Sequence, residues 1–400
     1  MAQEISPLEL QKLMASETPH AVLDVRPGER FRAGQIFRST TVPLDELRDR
    51  MPALVPVRSV ITVLLHDDEE SSKGSVAKAE AMGYSEIRWL EGGYAGWTAA
   101  GLPVIDGWSV VGKDHGERLL VQEPVPEIEA NALAKKIKNG ERVVVLDSRT
   151  PAEFSRGCIP GGRSVPGGEL PLEITDILAK EKDKDVTVVV NCAGRTRSIL
   201  GAFQLGRMGI PNVVALRNGT MGWQLAGHQL QERTQAQRPP GYSAQAVEAA
   251  ETAATEIAKQ EGIELITVAQ LQTLQAAATK ETLYVVDVRL PREYVVGHVP
   301  GALTIPGGQL PFSDDQIVVR GARIVTVCDG RARSIFAASL WAQMGWPVSV
   351  LDGGVGAWTK AGLPLESGGV ERPFGVGVRT PKQMADYLKW EEQLGEKYRP

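Results

Sequence analysis

Cysteine is scarce in this chain: there are three in 400 residues, Cys158, Cys192 and Cys328. That number excludes a disulfide framework, and such thiols suit a reducing compartment. Histidine is also rare, with five scattered residues, and there is no Cys-x-x-Cys pair. No zinc pattern results, and no metal site is read. The net charge is −5, so the basic face that nucleic acid requires is missing. No apolar run approaches the ~20 residues that span a membrane. Residues Met1 to Pro7 lack the charged and apolar regions of a secretory signal, which points to the cytoplasm. What is present is ordinary for a globular chain, 42% hydrophobic and 23% charged, and the length suits two to four domains.

The sequence repeats itself three times. Leu23-Asp24-Val25-Arg26, Leu146-Asp147-Ser148-Arg149 and Val286-Asp287-Val288-Arg289 each follow an apolar β-branched run. Each is followed, five residues after the arginine, by an aromatic: Phe31, Phe154 or Tyr294. Then come Gly34-Gln35-Ile36, Gly157-Cys158-Ile159-Pro160-Gly161 and Gly297-His298-Val299-Pro300-Gly301. Each copy closes on a turn before a tryptophan: Gly92-Gly93 before Trp97, Asn218-Gly219 before Trp223, and Gly353-Gly354 before Trp358. Three landmarks in three copies define units at 1–105, 125–230 and 263–366.

Within each unit, short apolar runs alternate with amphipathic ones. In the second, Arg142–Leu146, Val186–Asn191 and Asn212–Leu216 read as strands, and Leu170–Glu181 and Ser198–Met208 as helices. The fold class is therefore α/β: three domains, each a parallel sheet with helices on both faces. Gly83, Gly209 and Gly345 sit where a left-handed helix cap requires glycine. Glu123-Pro124-Val125-Pro126 separates the first two units. The linker run Ala244–Gln260 reads as a helix lying on a domain surface. Residues 367–400 form a C-terminal extension, with a helix over Pro381–Glu396 packed against its neighbours.

Chemistry concentrates in one stretch and its copy. The run Val188-Val189-Val190-Asn191 leads into Cys192-Ala193-Gly194-Arg195-Thr196-Arg197, and Val325-Thr326-Val327 leads into Cys328-Asp329-Gly330-Arg331-Ala332-Arg333. A cysteine at the carboxyl end of a parallel strand stands where ligands bind. The loop's N–H groups, the helix N-terminus and two arginines surround it with positive potential. These predict a thiolate with a pKa lowered to about 3.5–7.5. Cys-x4-Arg is one residue shorter than the cradle that a cysteine phosphatase builds around a phosphoryl group, so the loop favours sulfur over phosphorus. A thiol of this kind has a bland alternative as a small buried hydrophobe, but two copies with matched arginines argue against it.

Taken with the Asp-x-Arg, Gly-His-Val-Pro-Gly-Ala and Gly-Gly-x-x-x-Trp landmarks, all three units resemble rhodanese domains, and the whole chain resembles tandem multi-domain rhodanese-like sulfurtransferases. The resemblance implies a ping-pong reaction. A cysteine thiolate takes sulfur from a small anionic donor such as thiosulfate and passes it from a persulfide to cyanide or a thiol, including a protein thiol. It implies Cys192 and Cys328 as the catalytic residues, with Ala193, Gly194, Arg195, Thr196, Arg197, Asp329, Gly330, Arg331, Ala332 and Arg333 forming the substrate-binding loops. It requires no metal or organic cofactor. The chain departs from many single-domain rhodaneses in carrying Arg195 and Arg331 where they have glycine, which bears on donor choice. The alternatives are a persulfide carrier or protein-binding module with little turnover, and a cysteine phosphatase or arsenate reductase on the same fold.

Counting back 17 residues from the cap glycine reaches Cys192, Cys328 and, in the first unit, His66. The loop His66-Asp67-Asp68-Glu69-Glu70 has no thiol and is acidic, so the first unit reads as inactive, with a packing or docking role. Cys158 reads as a filler in a buried turn rather than a resolving thiol for Cys192. The Asp-x-Arg pairs and Trp97, Trp223 and Trp358 persist in the first unit and so read as structural. Glu153 and Glu293 stand where they can steer the nearby arginines. Asp329 beside Cys328 favours Cys192 as the stronger site.

Overall fold

The computed structural model describes residues 3–181, 185–232, 241–278, 281–313, 315–369 and 379–399. Three five-stranded sheets share one strand order, and every pairing between their strands is parallel. In the second domain, Thr187–Asn191 lies in the middle, between Val213–Leu216 and Val143–Asp147. The corresponding middle strands are Ile61–Leu65 and Arg323–Val327. Val188, Val189 and Val190 are all buried, as expected of a strand covered on both faces. The register places Asp147 beside Asn191, so the Asp-x-Arg motif ends its strand next to Cys192. Asp287 pairs with Val327 and Asp24 with Leu65 in the same way.

The expected strands and helices are present with shifted ends. The helix after Cys192 runs Thr196–Arg207, beginning two residues before the expected start. Its end is set by Gly209, whose φ is 75°. The expected helix at Leu170 ends at Leu178, after a 3-10 turn over Gly167–Glu169.

The linker helix, Ala244–Glu261, does more than lie on one surface. Its stripe Ala246, Ala250, Ala254, Ile257 and Ala258 is buried. Three of these alanines face Leu172 of the second domain and Ile335, Phe336 and Ala338 of the third, so small side chains let the helix wedge between them. The C-terminal helix, Pro381–Gln393, starts with a Thr380–Gln383 capping box and packs on the segments Gly219–Leu225 and Val110–Gln122.

The helix Val110–Gln122 has no counterpart among the sequence expectations. Its sequence carries Gly112 and Gly116, which disfavour an isolated helix, and it buries Lys113, Asp114, His115 and Glu117. Close approach explains both glycines: a Cβ at Gly112 would lie 2.1 Å from the Pro311 carbonyl oxygen, and one at Gly116 3.2 Å from Thr196 Cγ2. The helix therefore joins the first domain to the other two. The first domain also docks directly on the third, with Thr41 N–H donating to the Asp315 carbonyl at 2.8 Å and Thr40 Oγ1 to the Val318 carbonyl at 3.2 Å. The second and third domains meet glycine to glycine: a Cβ on Gly168 would stand 3.0 Å from Gly307 Cα.

Candidate functional site

Cys192 and Cys328 both stand at the carboxyl end of a middle strand, followed by the loop and the N-terminus of a 12-residue helix. Both thiols are buried, at 2% and 1% exposure. The first loop is buried throughout, whereas Asp329 is exposed and Gly330 and Arg331 half-buried.

The two arginines of each loop have different surroundings. Arg197 lies beside Cys192 and forks onto Glu153, with both bonds at 2.8 Å. Arg333 takes the same position beside Cys328, held by Glu293 at 2.7 Å, Glu169 at 3.0 Å and Asp329 at 2.8 Å. Glu169 reaches it from the second domain, and Gln309 of the third domain approaches Arg197 in return at 3.5 Å. Arg195 binds Glu117 of the connecting helix through Nε at 2.5 Å and Nη2 at 3.0 Å, and Asn218 at 3.1 Å. Arg331 forms an ion pair with Glu251 at 2.8 Å.

The N-termini of the two helices are also occupied. Neither Arg195 nor Arg331 caps its helix with its own side chain. Instead, Thr196 Oγ1 donates to Glu391 Oε1 at 2.6 Å and Thr196 N–H to the same oxygen at 3.4 Å. Arg331 N–H and Ala332 N–H both donate to Glu251 Oε1 at 3.2 Å. Glu391 belongs to the C-terminal helix and Glu251 to the linker helix. Neither was among the sequence candidates, nor were Glu117 and Glu169. All four lie far along the chain from the side chains they bind; Glu169 alone sits in a repeated pattern, Pro166-Gly167-Gly168-Glu169-Leu170-Pro171 against Pro306-Gly307-Gly308-Gln309-Leu310-Pro311, and buried charge in the helix Val110–Gln122 is legible only once its packing is known.

The structure corrects the expectation of a lowered thiol pKa. Burial pushes Cys192 up, with Arg197 and Ser198 pulling the other way and Glu391 adding to the rise. Burial pushes Cys328 up to about 11 against the pull of Arg333, and Asp329 raises it further. The cause is burial itself: taking the charged form out of water costs more than the adjacent arginine returns, although Arg197 and Arg333 remain the strongest influences favouring the thiolate. Alkylation of Cys328 by iodoacetamide in the native protein should therefore keep accelerating with pH beyond 9, with no plateau near neutrality. A plateau below pH 8, followed by peptide mapping, would count against this.

A cleft of about 220 Å³ opens at Ala193, the residue after Cys192, lined among others by Arg149, Glu153, Arg156, Arg379, Met221 and Met384. Arg149 is bound to Asp147 and Glu153 to Arg197, so Arg156 and Arg379 are the cleft's remaining charged side chains, and their sign suits a small anion. Two of its residues, Arg379 and Met384, belong to the C-terminal extension.

In the first domain, His66 takes the place of the thiol and is buried. Asp68 turns back to cap its own helix, accepting from Ser71 N–H at 2.7 Å and Ser71 Oγ at 2.9 Å. Among the described residues, no group of three or more His, Cys, Asp or Glu side chains is placed to hold a metal, and no helix is long and apolar enough to cross a membrane. The Asp-x-Arg pairs are buried forks in all three domains, each arginine also donating to a glycine carbonyl eight residues on. The three tryptophans are buried, each donating to a carbonyl six residues on. Cys158 is fully buried in a bridge to Gln231, where the third domain pairs His298 with Glu366.

The chain is similar to known proteins at three levels. A crystal structure of a thiosulfate sulfurtransferase from Pseudomonas aeruginosa superposes with a TM-score of 0.87 at 29% identity, covering 99% of this chain and 98% of that one. A sulfurtransferase of Allochromatium vinosum is 33% identical over 99 residues, 25% of this chain and 88% of its own length. The HTH-type transcriptional regulator Rv0324 of Mycobacterium tuberculosis is 38% identical over 95 residues, 23% of this chain and 40% of its own length. The rhodanese-like domain model matches at residues 6–100, 129–226 and 267–361. With three matched segments, one on each parallel sheet, the chain belongs to the rhodanese-like domain family.

Proposed function

We propose that the chain is a sulfurtransferase that carries sulfane sulfur on Cys192 and Cys328. The observation that carries this reading is the matched placement of the two thiols, each at a strand end with an arginine at the fifth following position. The likeness to a thiosulfate sulfurtransferase along the whole chain supports it. In the reaction, the cysteine thiolate attacks the outer sulfur of thiosulfate, the S–S bond breaks, and sulfite leaves with the bonding pair. Cyanide or an acceptor thiolate then attacks the outer sulfur of the persulfide and restores the cysteine thiolate. The oxidation states balance without a cofactor. Arg197 and Arg333 steady the anionic persulfide. The first domain, lacking the thiol, serves packing.

Intact mass spectrometry after thiosulfate treatment tests this. Wild type is expected to gain two sulfur atoms, and Cys192→Ser and Cys328→Ser one each. No gain at either cysteine would end the proposal. Steady-state formation of thiocyanate separates an enzyme from a carrier: loading without turnover would favour the carrier.

A further inference from the structure

Besides the connecting helix Val110–Gln122, two helices lie outside the repeats, the linker helix Ala244–Glu261 and the C-terminal helix Pro381–Gln393. Each sends a glutamate to the backbone of one thiol loop, Glu251 to the Cys328 loop and Glu391 to the Cys192 loop, where Glu392 also reaches the Arg195 side chain at 3.2 Å. Glu251 and Glu391 arrive at the same place. Thr196 and Ala332 occupy matching positions four residues after their cysteines, and each donates its N–H to the incoming carboxylate. Likewise, a Cβ built on Gly194 would lie 3.1 Å from Glu391 Oε2, and one on the matching Gly330 3.0 Å from Glu251 Oε1. Two unrelated helices have thus placed the same functional group against the same face of two loops.

We propose that Glu391 and Glu251 are internal, displaceable ligands of the two loops, standing where the oxyanion end of a donor binds, so that they set the affinity and selectivity of each site. This rests on the sulfurtransferase reading for the identity of the donor. Loop amides and a helix N-terminus attract any anion, and a carboxylate shares with a sulfonate-like end the charge and the acceptor oxygens. Because each glutamate is tethered, it competes at an effective concentration that roughly reaches the millimolar range. A donor then binds only the fraction of molecules whose loop is open, and its apparent affinity falls by that fraction.

The first domain shows the contrast. Its loop meets the same helix-end requirement locally, with Asp68 capping from within. The two thiol-bearing loops carry arginine at their N-caps, with no side-chain cap bond, which leaves the amides to a ligand from elsewhere. The two tethers also differ. Glu391 is 1% exposed and has Tyr387 packed beside it, 3.3 Å from the Gly194 Cβ position, whereas the Glu251 side chain is 29% exposed. The Cys192 loop is therefore the more tightly closed of the two.

The test uses full-length protein and sulfate, which has no sulfane sulfur and reads the loop whether or not sulfur is transferred. In a Cys328→Ser background, the rate of Cys192 alkylation by iodoacetamide is followed against sulfate concentration for Glu391 and for Glu391→Gln. The glutamine keeps an acceptor oxygen for Thr196 and removes the charge. The expected result is sulfate protection at concentrations lower by on the order of tenfold, with half-loading by thiosulfate shifted down in parallel. In a Cys192→Ser background, Glu251→Gln should produce a smaller shift in the same direction at Cys328, and its half-exposed position protects against a folding failure in the first variant. Unchanged or weaker sulfate protection in both variants, with a lowered Tm, would show that the glutamates only cap their helices and would overturn the proposal. Tightened sulfate protection without any sulfur loading would keep the tether and remove the sulfurtransferase reading instead.

Discussion

Arg197→Ala is expected to lower stability by about 3–5 kcal/mol and to abolish sulfur loading at Cys192. The stability loss comes from Glu153. This carboxylate is 3% exposed and receives both arms of the guanidinium. Burial alone would raise its pKa, but Arg197 holds it down at about 2. Removing the arginine leaves a buried charge without its main partner. The sign with pH follows. A carboxylate whose folded pKa lies below its unfolded value stabilises the fold above the unfolded pKa, near 4.5, and that contribution disappears as pH falls through about 2. In the variant, Glu153 can instead take up a proton, so the gap between wild type and variant should be widest at pH 7 and narrower at pH 3. Urea denaturation at both pH values measures it. A gap that widened towards pH 3 would contradict this account. The loading loss has a separate origin, since Arg197 is the cation placed beside the thiol. Arg197→Lys should recover part of the stability but not the two-armed grip on Glu153.

Asp24→Ala should cost a comparable amount, about 3–5 kcal/mol, yet leave sulfur loading at Cys192 and Cys328 unchanged in the folded protein. Asp24 is fully buried and takes Arg26 at 2.6 Å, while Arg26 also donates to the Gly34 carbonyl at 2.7 Å. The pair fixes the turn where the strand His20–Asp24 leaves its sheet. It does so in a domain with no thiol, which isolates its structural part from any chemistry. Thermal unfolding together with mass spectrometry of the loaded protein reads both halves. A variant that unfolds normally but fails to load would show that the first domain acts on the other two sites.

Much of the fold was legible in the sequence. The repeated Asp-x-Arg, glycine turn and tryptophan landmarks are local features, and the hydrophobic period around them identifies strands and helices without reference to distant residues. The strand end before Cys192 and the cap at Gly209 were read in this way. The connecting helix Val110–Gln122 was not, because its two glycines make sense only against Pro311 and Thr196, and its buried Glu117 and Asp114 only against Arg195 and Lys397.

By itself, the sequence determined three α/β units, two with a thiol at the carboxyl end of a strand and one without; that this strand is the middle one came from the sheet order. Only the tertiary structure decided the electrostatics of those thiols. Besides Glu153 and Glu293, which the sequence already set near the arginines, carboxylates reach the loops from 78 positions away at Glu117, 80 at Glu251 and 195 at Glu391. An arginine beside a cysteine promises a thiolate only if the thiol keeps contact with water, because burial penalises the charged form. How deeply Cys192 and Cys328 are buried, and that Glu391 reaches the first of them, depends on how distant segments pack over the loops, and no local pattern encodes that.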